Sequence, residues 1–300
     1  MGMIPFDLPG RFWRGNLHTH SNVSDGALPP QEVVALYRDR GYDFIALTDH
    51  FRERYGYPIT DTRPLRTDGF TTIIGAELHA PGHEFSDDWH IIAVGLPFDF
   101  ARTAAGETAP ELARRARAAG AWIGLAHPAA ALLTLDDAQR LDAAHAVECF
   151  NTLAGLEDRG ESWHLYDTLL GRGARVDAYA ADDAHFTRGT PAAFAAWVQV
   201  RAARLDPDLL LAALKAGAYY SSTGPELHGV TIQRGAVLVR TSPASKVIVS
   251  GGVPAPAVRQ GDARTEWKVP LDRLRNSSYI RVTVVDSSGR RAWSNPIWPT

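Results

Sequence analysis

The sequence predicts an α/β protein: strands and helices wound into a barrel-like core up to about residue 225, followed by a small all-β unit. Two observations carry this. Seven short apolar runs alternate with helix-like stretches over the first three quarters of the chain, the pattern of βαβ units. From Gly229 on, β-branched runs and turn signals continue without a helical pattern. The composition agrees. The chain has 300 residues, 45% hydrophobic and 22% charged, which is the balance of a globular protein and not of a disordered or fibrous one. A chain this long buries about three quarters of the surface its unfolded form exposes, so it needs neither a disulfide nor a structural metal to fold.

The strand candidates are residues 15–20, 43–48, 71–77, 90–96, 122–127, 147–150 and 176–180. Between them, Pro30–Arg40 carries apolar Val33, Val34, Leu36 and Tyr37, with Gly41 as its stop. Pro110–Ala119 is rich in Ala, Arg and Glu and ends at Gly120. Pro207–Ala216 has Asp206 as N-cap, Pro207 in its first turn and Gly217 after its last. Seven strands suggest a barrel smaller than the eight-stranded kind, with its chemistry at the C-terminal strand ends. The later runs are 230–233, 236–240, 246–250, 265–269 and 279–285. Gly251-Gly252 and Ser287-Ser288-Gly289 read as turns. The expected organisation is therefore residues 1–225 as one domain and 226–300 as a β-sandwich-like appendage.

Charge and cysteine usage exclude several classes. Subtracting 34 acidic from 31 basic residues leaves a net charge of −3, which gives no global field for nucleic acid or anionic membrane. Nucleic acid is therefore expected only as nucleotides or short oligonucleotides. No run of eighteen apolar residues exists to span a membrane. The segment before Arg14 carries Asp7, Pro5 and Pro9 and lacks the apolar stretch of a secretory signal. The single cysteine, Cys149, excludes an intramolecular disulfide and fits a reducing compartment, so a cytoplasmic location is expected.

The chemistry gathers at the strand ends. Of 11 histidines, His18, His20, His50, His127 and His185 fall at or just after the ends of apolar runs, and His90 at the start of its own. Asp25, Asp49, Glu77 and Asp183 accompany them. Imidazole and carboxylate together suit borderline divalent cations such as Zn, Mn or Fe. In a strand, His18 and His20 point to one side, so both can hold one ion; as an isolated pair they can equally be surface residues. Ser24-Asp25-Gly26 by itself reads as an ordinary turn.

Asp49-His50 closes a buried strand, where charge is costly unless paired or bound to metal, although a helix cap at Asp49 explains it as well. Glu77 has two oxygens and suits a position bridging two cations. His79 lies two residues on, on the same face, and His83 follows in the loop; either can be a ligand, but both are expected to line the mouth or sit in solvent. Pro128 is expected to hold His127 extended at its strand tip. Glu148 supports the site by hydrogen bonds, and Cys149 points to the opposite face as a buried small residue. Asp183 and His185 repeat the i, i+2 relation of His18 and His20, while Asp182 turns away.

The ordered set resembles the PHP (polymerase and histidinol phosphatase) family of metal-dependent hydrolases. The matching elements are His18-x-His20 with Ser24-Asp25-Gly26, Thr48-Asp49-His50, Gly75-Ala76-Glu77, His90, Ala126-His127-Pro128 and Asp183-x-His185. They cover roughly residues 12–225. The resemblance implies a distorted seven-stranded (βα)7 barrel with two or three divalent cations in its mouth. His18, His20, Glu77 and Asp183 would hold the first; Glu77, His90 and His127 the second; Asp25, His50 and His185 the third. The segment between His79 and Asp88 departs from the family's usual short connection, which leaves His83 as an alternative to His90. Asp182-Asp183 and the stretch Tyr219–Pro225 before the β appendage are most similar to stand-alone bacterial members of the family.

The activity expected from these residues is phosphoester hydrolysis on a small phosphorylated substrate. Two cations lower the pKa of a bridging water, and the hydroxide attacks phosphorus while the metals neutralise the phosphoryl oxygens. Glu77, His185 and Asp49 are the expected catalytic residues, and Arg52, Arg54 or Arg188 would bind phosphate bidentately. The alternative is aryl ester or carbamate hydrolysis at the same metals, favoured if Trp89, Phe51 or Tyr55 line the pocket. A third reading is a metal-binding scaffold whose β unit recognises a partner through Trp267, Trp293 and Trp298, residues that otherwise pack against the neighbouring domain.

Overall fold

The computed structural model describes residues 5–83, 85–189 and 192–298. Its fold is α/β, with a large mixed sheet of fifteen strands and few helices. The first half runs β1 (Arg11–Asn16), α1 (Pro30–Asp39), β2 (Phe44–Leu47), β3 (His50–Phe51), β4 (Thr71–His83), β5 (Ser86–Val94), α2 (Ala109–Ala118), β6 (Trp122–Leu125) and α3 (Leu135–Arg140). Next come β7 (Ala146–Asn151), α4 (Thr152–Gly155), α5 (Trp163–Gly171), β8 (Asp177–Ala181), β9 (Trp197–Ala202), α6 (Pro207–Lys215) and β10 (Tyr219–Ser222). Five strands without an α-helix complete the chain: β11 (Leu227–Gln233), β12 (Ala236–Gly251), β13 (Val253–Pro270), β14 (Ile280–Val285) and β15 (Arg291–Ser294).

The helix signals act as read. Asp206 accepts hydrogen bonds from the backbone N–H groups of Asp208 and Leu209, and Gly41 takes φ +75° where α1 must stop. The strict strand–helix alternation does not form. Among the described residues no α-helix separates β2 from β4 or β8 from β9, and β4 and β5 make a hairpin. Strands β1, β2 and β4 are parallel to their neighbours in that order, as are β6, β7 and β8. Strand β5 is antiparallel to both β4 and β6. Beyond Ala181 the chain returns to the segment leaving β1: the Asp183 N–H donates to the His18 carbonyl and the His20 N–H to the Ala184 carbonyl, each at 2.9 Å. This closure joins residues far apart in the chain at the carboxyl ends of the parallel strands.

Strands β9 and β10, absent from the sequence reading, link the two regions. Strand β9 pairs antiparallel with β1 and with β10, and β10 pairs with β15, so the C-terminal strands continue the same sheet. The runs 236–240 and 246–250 are two parts of one bent strand, β12, whose register slips between Arg240 and Lys246. Alternation packs Val237, Val239, Val247 and Val249 of β12 against Leu227, Val230, Trp267, Val282 and Val284. Trp267 and Trp293 are buried, the latter 5.0 Å from the ring of Trp163, so neither is a free contact surface. Among the described residues no helix is long and apolar enough to cross a membrane.

Candidate metal centre

The site forms where β1, β2, β6 and β8 end, and midway along the β4–β5 hairpin, where Glu77 and His90 lie. Strand β1 stops at Asn16, so His18 and His20 lie just past it and not within a strand as expected; the isolated bridge Thr19–Ala184 keeps this segment extended. The antiparallel run of β5 answers the puzzle of His90. It is the middle residue of β5, and the reversal of that strand sets it beside Glu77 at the mouth. There His90 pairs directly with His79 across the hairpin. The side chain of His83 lies outside the described residues.

Glu77 is fully buried at the centre. His18 Nε2 stands 3.5 Å from its Oε1 and 3.1 Å from Asp183 Oδ1. His20 Nε2 lies 3.5 Å from Glu77 Oε2 and 3.1 Å from the same Asp183 oxygen. On the other side of Glu77, His90 Nδ1 is 2.7 Å and His127 Nε2 3.5 Å from Oε1. A third group joins Asp25 Oδ1 to His185 Nε2 at 3.3 Å and Asp25 Oδ2 to His50 Nε2 at 3.2 Å. The structure therefore brings together all nine residues named as ligands, with Glu77 shared by the first two groups.

These residues fit divalent cations. His18 Nε2 and Glu77 Oε2 are buried without a formed hydrogen bond, a costly state for polar atoms unless a further partner satisfies them. Donor separations of 3.1–3.5 Å match the edges of a coordination shell whose bonds are about 2.1 Å long. The donor set of imidazoles and carboxylates suits borderline metals.

Neighbouring groups fix the donors. Glu148 Oε1 sits 3.0 Å from His18 Nδ1, which leaves Nε2 facing Glu77; its Oε2 accepts from the His127 N–H and the Asn151 amide. Asp182 turns away, accepting from Tyr37, Thr152 and the N–H groups of Phe194, Ala195 and Ala196. Two candidate ligands have left-handed backbone, His127 at φ +25° and Asp183 at φ +56°. His127 is thus not held extended by Pro128; its N–H turns to Glu148 at 2.7 Å instead. Such conformations cost about 1–3 kcal/mol each and persist where surrounding bonds enforce them.

Electrostatics follow the clustering. Burial disfavours charge on Glu77, but His90, His50 and His18 outweigh it and hold its pKa well below the ordinary range. Asp183 is depressed in the same way by His18, His20 and His127. Burial opposes protonation of His50, yet Glu77 and Asp25 raise it to about 9. His20 goes down to about 4, through burial first and then through His185 and His50, against the pull of Asp183. Burial also pushes the Cys149 thiol well up, the state of an inert core residue.

Other expected residues fall elsewhere. Asp49 is buried, and its carboxylate accepts from the Ser21 N–H and from the hydroxyls of Ser21, Ser24 and Thr60. Its hydrogen-bonding capacity is spent on ordering loops, so the catalytic role expected of it is not carried further. Phe51 and Trp89 are buried in the core, yet each also borders a cleft: Phe51 the one that holds Arg52 and Arg54, Trp89 a second one beside Pro81 and Arg140. In the 51–69 segment Arg63 pairs with Asp61 and Arg66 reaches Thr72, while Arg52 pairs with Asp88 and Arg54 stacks on Tyr55. Arg188 is exposed on the loop after β8. A cleft of 1070 Å³ adjoins the site, with Arg52, Arg54, Arg102 and His79 among its walls. His79, read as a residue of the mouth or of solvent with ligation as the alternative, is only 5% exposed: it is out of solvent and forms part of that cleft's wall.

A family model for the PHP domain matches residues 16–164. The chain belongs to the PHP domain family. The match ends before β8, so Asp183 and His185 of this PHP protein are placed by the fold. No curated protein matches the sequence. Among solved structures, a two-domain protein from Bacteroides vulgatus containing a predicted PHP-like metal-dependent phosphoesterase is similar over 93% of this chain and 93% of its own. The TM-score is 0.52 and the identity 13%. A protein from Bifidobacterium adolescentis, inferred to be a metal-dependent phosphoesterase, overlaps 59% of this chain and 89% of its own, with TM-score 0.42 and 14% identity. At these identities the likeness concerns the fold.

Proposed function

We propose that this PHP protein is a metal-dependent phosphoesterase that hydrolyses a small phosphorylated substrate. The observation that carries the reading is the convergence of nine imidazole and carboxylate side chains, with Glu77 at their centre, beside an arginine-bearing cleft. His18, His20, Asp183 and Glu77 would hold one cation, Glu77 with His90 and His127 a second, and Asp25, His50 and His185 a third. Such ions, whether Mn, Zn or Fe, would supply Lewis-acid activation of water and neutralise charge on phosphoryl oxygens.

The chain's own residues do the rest. Glu148 and Asn151 fix the imidazole and backbone at His18 and His127. His185 keeps its Nδ1 on the Asp183 carbonyl at 2.9 Å, and Nε2 faces the cavity beside Asp25. Burial opposes its protonation, but Asp25 and Asp183 raise its pKa, so when the third position holds no cation its Nε2 can carry a proton for a departing oxygen. Arg54 and Arg188 are cations free to turn toward an anionic substrate, while Arg52 reaches the cleft wall already paired to Asp88. We read the sheet of residues 1–225 as a distorted seven-stranded barrel with 226–300 as a supporting β unit, and the location as cytoplasmic.

One observation favours the ester or carbamate reading. An apolar groove of 490 Å³ begins next to His127, lined by Pro128, Leu132, Leu133, Leu165 and Phe85. It would suit an aryl leaving group. The test is to strip the protein with chelator, restore Mn, Zn or Fe separately, and compare a phosphomonoester, a phosphodiester and an aryl ester. Phosphoester turnover that vanishes with chelation supports the proposal. Metal-dependent turnover of the aryl ester alone replaces it with the second reading.

A further inference from the structure

We propose that His79 is an additional cation ligand of this centre, oriented by Asp88; the inference rests on the metal-dependent reading above. Three strands present their alternate positions to the same cleft: His50 and Arg52 on and just after β3, Glu77 and His79 on β4, His90 and Asp88 on β5. His79 Nε2 faces inward, 2.8 Å from His50 Nδ1 and 4.0 Å from Glu77 Oε2, and its ring lies 4.4 Å from that of His90. Donor atoms of His50, Glu77, His79 and His90 all lie within 4.8 Å of one another.

The outward nitrogen completes the case. His79 Nδ1 is buried without a formed hydrogen bond, and Asp88 Oδ2 is its nearest carboxylate oxygen at 3.4 Å. Asp88 is itself ion-paired with Arg52. A histidine that offers one nitrogen to a cation and turns the other to a carboxylate has the tautomer and ring orientation that ligation needs. His50 cannot fill the same role. If its Nε2 serves the Asp25–His185 group, its Nδ1 carries the proton and is lost as a donor. His79 then joins Glu77 and His90, making the second position richer in imidazole and more selective for Zn or Fe over Mg.

The test uses the full chain. Zn2+ affinity and stoichiometry are measured by chelator competition and elemental analysis for wild type, His79→Ala, His79→Gln, Asp88→Asn and the His79→Ala/Asp88→Asn double variant. The expected result is loss of one tightly held ion, or at least about a 100-fold weaker constant, in both His79 variants. Asp88→Asn should weaken it about 10–100-fold. The double variant should be no worse than His79→Ala, because Asp88 acts through that ring. The visible spectrum of the Co2+-loaded protein should change in the His79 variants, as loss of a direct ligand requires. Thermal unfolding in chelator should be unchanged, which separates ligation from folding. Unaltered stoichiometry, affinity and Co2+ spectrum in both His79 variants would overturn the inference and leave the function standing. A wild type that binds no divalent ion would overturn both.

Discussion

Two regions of this sheet solve burial in opposite ways. Around Glu77 the chain places His18, His20, Glu148 and Asp183 out of water, at the ends of strands whose middles are apolar. In β11–β15 the buried face is mainly hydrocarbon, and most charge is left outside on residues such as Arg240, Arg264 and Glu266; Arg281 of β14 is buried, paired with Asp167 at 2.6 Å. The first region depends on partners for its charges, since isolated charge in the interior costs several kcal/mol per ion. The second depends chiefly on shape and area. The contrast teaches that cation supply should govern one region and leave the other untouched.

The largest effect expected is from Glu77→Ala. Removing the shared carboxylate should lower kcat by about three orders of magnitude, since Lewis-acid stabilisation is worth several kcal/mol. Metal content should fall in parallel, and full metal loading with intact activity would break the comparison. Next, Leu227→Ala empties a fully buried site in the C-terminal strands. It should cost about 2–5 kcal/mol in urea unfolding, with cation affinity unchanged. Weakened binding would show that the regions are coupled more tightly than their cores suggest.

Legibility in the sequence follows the same division. The candidate ligands could be read because strand ends and i, i+2 spacing are local signals, as at His18-x-His20 and Asp183-x-His185. The direction of β5 could not, because parallel and antiparallel neighbours share one apolar pattern. His90 therefore had to be placed by resemblance. His79 gained its meaning only from cross-strand pairing with His90. Strands β9 and β10 were missed because their pairing partners, β1 and β15, lie far away in the chain. The unity of β12 was hidden by Pro243, a residue that reads as a break and is tolerated where the register slips.

Two smaller effects sharpen the contrast. Chelation should lower wild-type stability by about 2.7 kcal/mol relative to protein with free metal at a hundredfold its dissociation constant. Hydrogen exchange should quicken at residues 18–25 and 183–185 and stay unchanged over 227–294. The smallest concerns Asp177, at the opposite end of β8 from Asp183. Burial raises its pKa to about 7, so the native state keeps a proton that the unfolded chain releases near pH 4. Stability from this group is full below about pH 4 and declines as pH rises to about 7. Between pH 5 and 6 the wild type should lose about 1 kcal/mol relative to Asp177→Asn in paired thermal melts. Equal slopes would mean that no proton is held there.

The pairing of β10 with β15 bears on how the chain is made. Tyr220, Ser221 and Ser222 lie opposite Ser294, Trp293 and Ala292 in the antiparallel ladder. Until those residues leave the ribosome, β10 is a bare sheet edge, open to any extended segment nearby. Between the emergence of β10 and that of β15, the PHP sheet therefore stays unsealed on this side. A message truncated near residue 225 would yield a sticky fragment and not a smaller enzyme.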